Sequence, residues 1–378
     1  MLGIAALAAG TGVPATHFLV TNDDTATPFP PSTVTFYTIA ADGGLAAPTR
    51  VSTAGNGIAG GYFGATRVLV TPGPDPCVFV SNAQSETIAG IHARTRKLAG
   101  TFIGSHADTR LARNGIGLAA GGGHLYATFS GAGNIGVFQM QPGCTLQFVG
   151  DVHAQGLHSG WAEGMAIHGN MMVVAYGDGS IESFDISSRM PVSNGDAQYA
   201  TGAPDDHAPD AVDITRDGHF AIFGGGSTAA AVQVSDISSG KLSPTALYSL
   251  GTAWNSGSVR LSPDERVVYV SNSSGGRVTA AFFDKTTGKV RRGCTSGALK
   301  GFYTKFTYAG EVATELATGT GGLVYVPEFG PSGRSYIGVL RFTATGTGCT
   351  LTEEAHSPVA GSPGSALLSI GVYPPRPF

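Results

Sequence analysis

The sequence predicts an all-β chain folded as a seven-bladed β-propeller of four-stranded antiparallel blades. Three observations carry that expectation. The stretch Ser258–Val290, SVRLSPDERVVYVSNSSGGRVTAAFFDKTTGKV, reads as four short strands joined by tight turns. Echoes of it recur along the chain: the equivalent residues Asn82 and Asn272 lie four repeats apart, a period of about 47 residues and within the range of propeller blades. The segment Ser365–Pro375, SALLSIGVYPP, matches the innermost strand that the first repeat lacks, so the C-terminus is expected to close the ring.

The repeats follow in order. The first holds HFLVTN (His17–Asn22), a strand over Thr33–Ile39, an Asp42-Gly43-Gly44 turn and a strand from Leu45. The second runs through Arg67–Thr71, a Pro72–Asp75 turn, CVFVSN to Asn82, Glu86–Ala93 and a last strand after Lys97. Gly115–Ala120, His124–Ser130 and Asn134–Met140 make the third, before Cys144. The fourth has Gly164–His168, Met171–Tyr176 and Ser180–Ile186. Ala211–Thr215, His219–Gly226 and Ala230–Ile237 make the fifth. In the sixth, Pro263 presets φ for the turn while Asp264 bonds local backbone. The seventh has Glu311–Ala317, Leu323–Pro327 and Tyr336–Thr343. One propeller domain over residues 16–378 is expected, behind a leader at 1–15.

Composition narrows the function. The chain has 378 residues with 57 Gly, and tight turns use the positive φ that Gly adopts without strain. Charged residues make up only 13% and the net charge is −4, with no basic stripe, so nucleic-acid binding is not expected. No apolar run is long enough to span a bilayer as a helix. The start, MLGIAALAAGTGVPATHF, resembles the apolar core of a secretory signal but lacks a basic leading region. A periplasmic or secreted protein is therefore expected, or a cytoplasmic one if the leader is not a signal. Cys77, Cys144, Cys294 and Cys349 form no CxxC pair. They allow two disulfides with three connectivities, or four buried thiols.

Functional chemistry is expected where the innermost strands begin, because those points converge on the mouth of a central channel. The catalytic candidates there are His158, Glu163, His207 and Asp210, suited to moving a proton. The substrate-binding candidates are Arg67, Arg113, Asn114, Trp161, Asn255, Arg260 and Glu311, in which the guanidinium groups could hold a carboxylate bidentately. Loops on the same face add Asn22, Asp23, Asn82, Asp178, Asn272 and Glu328. DDHAPD (Asp205–Asp210) matches no standard metal loop, and neither a metal nor a cofactor is expected. GGGST (Gly224–Thr228) leads into a strand rather than a helix, which excludes a phosphate-binding loop.

The pattern of strand, SPD-type turn, VYVSN, Gly/Ser loop, strand and TTGKV resembles the lactonase family of seven-bladed propellers. That family includes the propeller type of 6-phosphogluconolactonase and fungal 3-carboxy-cis,cis-muconate cycloisomerase. Leu261–Asn272, Thr286–Val290 and Arg216–Phe223 match best, and YVTN-type repeat propellers share these motifs. The resemblance implies a metal-independent opening or closing of a lactone ring; the substrate is expected to be small and acidic and the protein a monomer. His158, Glu163, Arg67 and Arg260 have the residue types and places that fit, while HSGWAEG (His158–Gly164) departs from the family's His-Pro pattern. The alternative is an exported propeller that binds a ligand or partner without catalysis.

Overall fold

A computed structural model describes residues 17–25, 31–57, 66–103, 116–129, 134–153, 162–176, 180–199, 209–225, 231–243, 246–251, 256–272, 275–301, 317–329, 335–363, 365 and 369–375. Seven antiparallel sheets form the ring. The first blade contains β1 (Phe18–Asn22), β2 (Thr33–Ile39) and β3 (Leu45–Ser52). Next come β4 (Val68–Val70), β5 (Cys77–Asn82), β6 (Thr87–His92) and β7 (Lys97–Ile103). The third blade has β8 (Leu118–Gly121), β9 (His124–Phe129), β10 (Asn134–Gln141) and β11 (Thr145–His153). The fourth has β12 (Ala162–His168), β13 (Met171–Tyr176), β14 (Ser180–Asp185) and β15 (Val192–Tyr199). β16 (Pro209–Ile214), β17 (Phe220–Gly225), β18 (Ala231–Asp236) and β19 (Ala246–Ser249) make the fifth. β20 (Ser256–Leu261), β21 (Val267–Asn272), β22 (Arg277–Asp284) and β23 (Lys289–Thr295) make the sixth. The seventh holds β24 (Ala317–Thr318), β25 (Leu323–Phe329), β26 (Ser335–Thr345) and β27 (Gly348–Glu353). It also carries a short extra strand, β28 (Val359–Ala360), paired to the start of β26, which the repeat pattern does not anticipate.

Ring closure follows the sequence expectation. β29 (Ser369–Tyr373) pairs antiparallel with β1, from Phe18↔Tyr373 to Asn22↔Ser369, and so becomes the first blade's innermost strand. The Phe18 and Tyr373 rings stack at 5.0 Å between centroids. The Arg96 guanidinium, from the turn between β6 and β7, lies over Phe18 and Phe36 at 4.9 and 3.9 Å. A cation over two ring faces ties the closing blade to its neighbour.

The VVYVSN type of strand opens on a continuous apolar run because both faces of a blade are covered. In β21 every residue is buried. Val268 and Val270 pack towards the fifth blade, while Val267 and Tyr269 pack towards the seventh. Alternation along the strand thus divides one apolar run between two inter-blade cores. The SPDE turn joins blades as well as strands. Glu265, at φ 59° and buried, accepts the Arg216 N–H at 2.5 Å, and Arg216 Nη2 donates to the Pro263 carbonyl at 2.9 Å.

The cysteines form two disulfides, Cys77–Cys144 and Cys294–Cys349. The first joins the second and third blades and the second joins the sixth and seventh. Of the alternatives open in the sequence, this pairing staples neighbours on two sides of the ring.

Candidate functional site

The seven innermost strands surround a cavity of about 140 Å³ on the ring axis. Its wall is mostly aliphatic, with Val68, Val70, Leu118, Ile167, Leu261 and Ile370 among the lining residues. Among the described lining residues, four polar side chains interrupt it: Thr66, Asp213, Arg260 and Thr318. Arg260 crosses the channel from the sixth blade, and its Nη2 donates to Thr66 Oγ1 of the second blade at 2.8 Å. Its Nη1 donates to the Val212 carbonyl at 3.4 Å. Asp213 Oδ2 accepts the Leu261 N–H at 2.9 Å, and its Oδ1 accepts the Ile214 N–H at 2.9 Å. Thr318 Oγ1 donates to the Leu261 carbonyl at 3.2 Å.

Asp213 is absent from the sequence-derived candidates, yet a signal for it exists. Ile214-Thr215-Arg216-Asp217 and Leu261-Ser262-Pro263-Asp264 hold the same place in consecutive repeats, so Asp213 is the fifth blade's counterpart of Arg260. Innermost strands put alternate residues towards the axis, and a charged pair at one repeat position marks the channel wall.

The structure separates Arg67 and Arg260, two of the three arginines that the sequence groups together. Arg67 precedes β4, is 1% exposed, and donates from Nη1 to Asp24 Oδ2 at 3.1 Å. Its backbone N–H donates to Ser369 Oγ at 3.0 Å. Arg67 is thus buried at the seam between the first two blades and does not line the cavity. Arg260 is the fifth residue of the six in β20, deep in the channel rather than at the strand's beginning.

Glu163 and Asp210 are the second residues of β12 and β16, at the end where those strands begin. Both fall at pairing irregularities. The register passes from Ala162↔Tyr176 to Met165↔Val174, and from Pro209↔Gly225 to Ala211↔Gly224. β20 has a similar step, from Ser256↔Asn272 to Val259↔Val270. Three consecutive blades therefore start their innermost strands with a bulge, a device that re-aims backbone beside functional sites. The side chains of Glu163 and Asp210 lie outside the described residues, as do His158, His207, Arg113, Asn114, Trp161, Asn255, Glu311 and Asp178.

Of the remaining loop candidates, Asn22, Asp23, Asn82 and Asn272 are buried and bonded into the scaffold. Asn22 Nδ2 donates to the Ser81 carbonyl at 3.2 Å, and Asn82 Nδ2 to Thr87 Oγ1 at 3.1 Å. Asn272 Nδ2 donates to Thr279 Oγ1 at 2.8 Å. Asp23 accepts hydroxyl hydrogen bonds from Thr21, Thr33 and Thr35. Burial nevertheless raises its carboxyl above the usual range, outweighing those hydroxyls. Glu328 holds in the seventh blade the place that Asn22, Asn82 and Asn272 hold in theirs. It is fully buried, and neither carboxyl oxygen has a hydrogen-bond partner of good geometry among the described residues. Burial pushes its pKa up to about 8, and the nearby Glu353 charge adds to the rise. The Gly301 N–H and Lys300 pull weakly the other way.

The fold these elements define is a closed seven-bladed β-propeller. Solved structures similar to the chain include a candidate 6-phosphogluconolactonase from Bacteroides fragilis. It aligns with a TM-score of 0.69 at 15% identity, over 95% of this chain and 98% of that one. A second candidate 6-phosphogluconolactonase, from Bacteroides uniformis, aligns at 0.66 and 14% identity over 94% and 99%. A hypothetical selenium-binding protein from Sulfolobus tokodaii aligns at 0.67 and 11% identity over 95% and 94%. No family profile matches the sequence, and no curated protein matches it significantly. Likeness at these identities establishes the shared architecture; function has to be argued from the site.

Proposed function

We propose that the protein is a lactonase- or cycloisomerase-like enzyme, opening or closing a lactone ring on a small carboxylate-bearing substrate at the central channel. The observation that carries this reading is the Arg260 guanidinium set in a mostly aliphatic axial cavity, with the hydroxyls of Thr66 and Thr318 and the Asp213 carboxylate in the same wall. A carboxylate is matched by the planar fork of a guanidinium, and an apolar wall strengthens the attraction. In this reading Arg260 anchors the substrate carboxylate. Glu163 or Asp210, at the bulged starts of neighbouring strands, exchanges a proton with the ring oxygen or the attacking water, with His158 and His207 as further candidates. No metal is required by this scheme: a carboxylate base and a cationic anchor supply the proton transfer and the charge stabilisation.

The two inter-blade disulfides support export to an oxidising compartment, where such links persist. The test is a screen of purified protein against lactones and unsaturated dicarboxylates. Turnover that falls at least about 100-fold in both Arg260→Ala and Glu163→Gln is the expected result. Absence of any turnover, with ligand binding retained, would favour the non-catalytic binding propeller instead.

A further inference from the structure

The size and charge of the axial cavity restrict what can occupy it more tightly than the fold does. A void of about 140 Å³ is close to the roughly 150 Å³ of an apolar protein cavity that accommodates one benzene molecule. Among its described lining residues it has room for one five- or six-membered ring and a small substituent. The wall is aliphatic over most of its extent, so sugar hydroxyls would lose water there without a matching set of partners.

Charge points the same way. Among the described lining residues Arg260 is the single cation and Asp213 the single carboxylate. Asp213 is fixed one strand away by the Leu261 and Ile214 N–H groups. A monoanion brings one negative charge to the one guanidinium among these residues. A phosphate dianion would add a second negative charge beside Asp213 with no second cation among the described lining residues to offset it. Thr66 Oγ1, already 2.8 Å from Arg260 Nη2, stands where a carboxylate oxygen held by that guanidinium could accept its proton.

We propose that the cavity binds a single benzene-sized, largely apolar ring carrying one carboxylate, and that it rejects phosphorylated sugars. This rests on the enzyme reading for its role in turnover, but not for the binding itself. The experiment is calorimetric titration of the intact protein with benzoate, phenyl phosphate, gluconate 6-phosphate and the neutral benzyl alcohol, repeated on Arg260→Met. Benzoate should bind with a sub-millimolar Kd, as expected for so small a ligand in a formed pocket. Phenyl phosphate should bind at least about tenfold more weakly, and gluconate 6-phosphate should not compete with benzoate. Arg260→Met should weaken benzoate roughly 30-fold or more while changing benzyl alcohol less than about threefold.

Tighter binding of phenyl phosphate than of benzoate, or benzoate binding indifferent to Arg260→Met, overturns the proposal. The ranking in the unmodified protein decides the matter even if the variant does not fold. Benzoate binding without turnover of any lactone upholds this site and removes the enzyme reading. Lactone turnover with no benzoate binding or inhibition does the reverse.

Discussion

Single residues show how one repeat position can be used in two ways. Asn22, Asn82 and Asn272 spend their amides on neighbouring strands, and a neutral side chain suits a buried place. Glu328 puts an ionisable group in the same place with no hydrogen-bond partner of good geometry among the described residues. Its folded-state pKa, about 8, is above the unfolded value, so protons bind the native state more tightly. The stability this contributes is full below about pH 4.5 and is lost as pH rises through about 8. Denaturant unfolding of the wild type should therefore lose on the order of a few kcal/mol from this group between pH 5 and pH 9. Glu328→Gln should flatten that slope; an unchanged slope would mean the carboxyl gains a partner in solution. Arg67 presents the opposite case, a buried charge with a partner. Removing one side of its pair with Asp24 leaves the other uncompensated, so Arg67→Met should cost about 3–5 kcal/mol in the same measurement.

At the scale of elements, blades are held to each other by turns and covalent links as well as by apolar faces. The SPDE turn is scaffold because Glu265 reaches the Arg216 N–H of the preceding blade. Glu265→Ala orphans that donor and should destabilise by about 1–3 kcal/mol, read as a shift in thermal midpoint without loss of β-sheet signal. The disulfides act on the unfolded chain, closing sequence separations of 67 and 55 residues. Replacing Cys294 and Cys349 together by Ser should cost about 2–4 kcal/mol, and the same for Cys77 and Cys144. The two losses should add, since the bonds join different pairs of blades.

For the whole molecule, closure is the decisive interaction. β29 supplies the first blade's innermost strand and part of the cavity wall at once, through Ile370 and Val372. A chain ending at Gly364 would expose the inner edge of β1 and open the axial cavity. It should elute as aggregate or as an expanded species, and a synthetic peptide spanning residues 365–378 should restore compact monomer in part. Normal elution and full cooperativity of the truncated chain would show that closure contributes little.

The sequence by itself determined the repeat, the strand order and the closing strand. These depend on local signals: apolar runs the length of a strand, Gly and Pro-Asp turns, and a spacing near 47 residues. The extra strand β28 escaped because it pairs with β26 only after a non-repeating excursion. Tertiary structure decided what each polar residue faces. Arg67 and Arg260 both sit in innermost-strand segments, yet one pairs with Asp24 in an inter-blade seam and the other spans the channel to Thr66, 194 positions away. The same holds for the cysteine pairing and for Asp213. Strand pattern is written in neighbouring residues, whereas a side chain's partner is set by which blades the closed ring brings together. Residues distant in sequence become adjacent only when the last strand has joined the first.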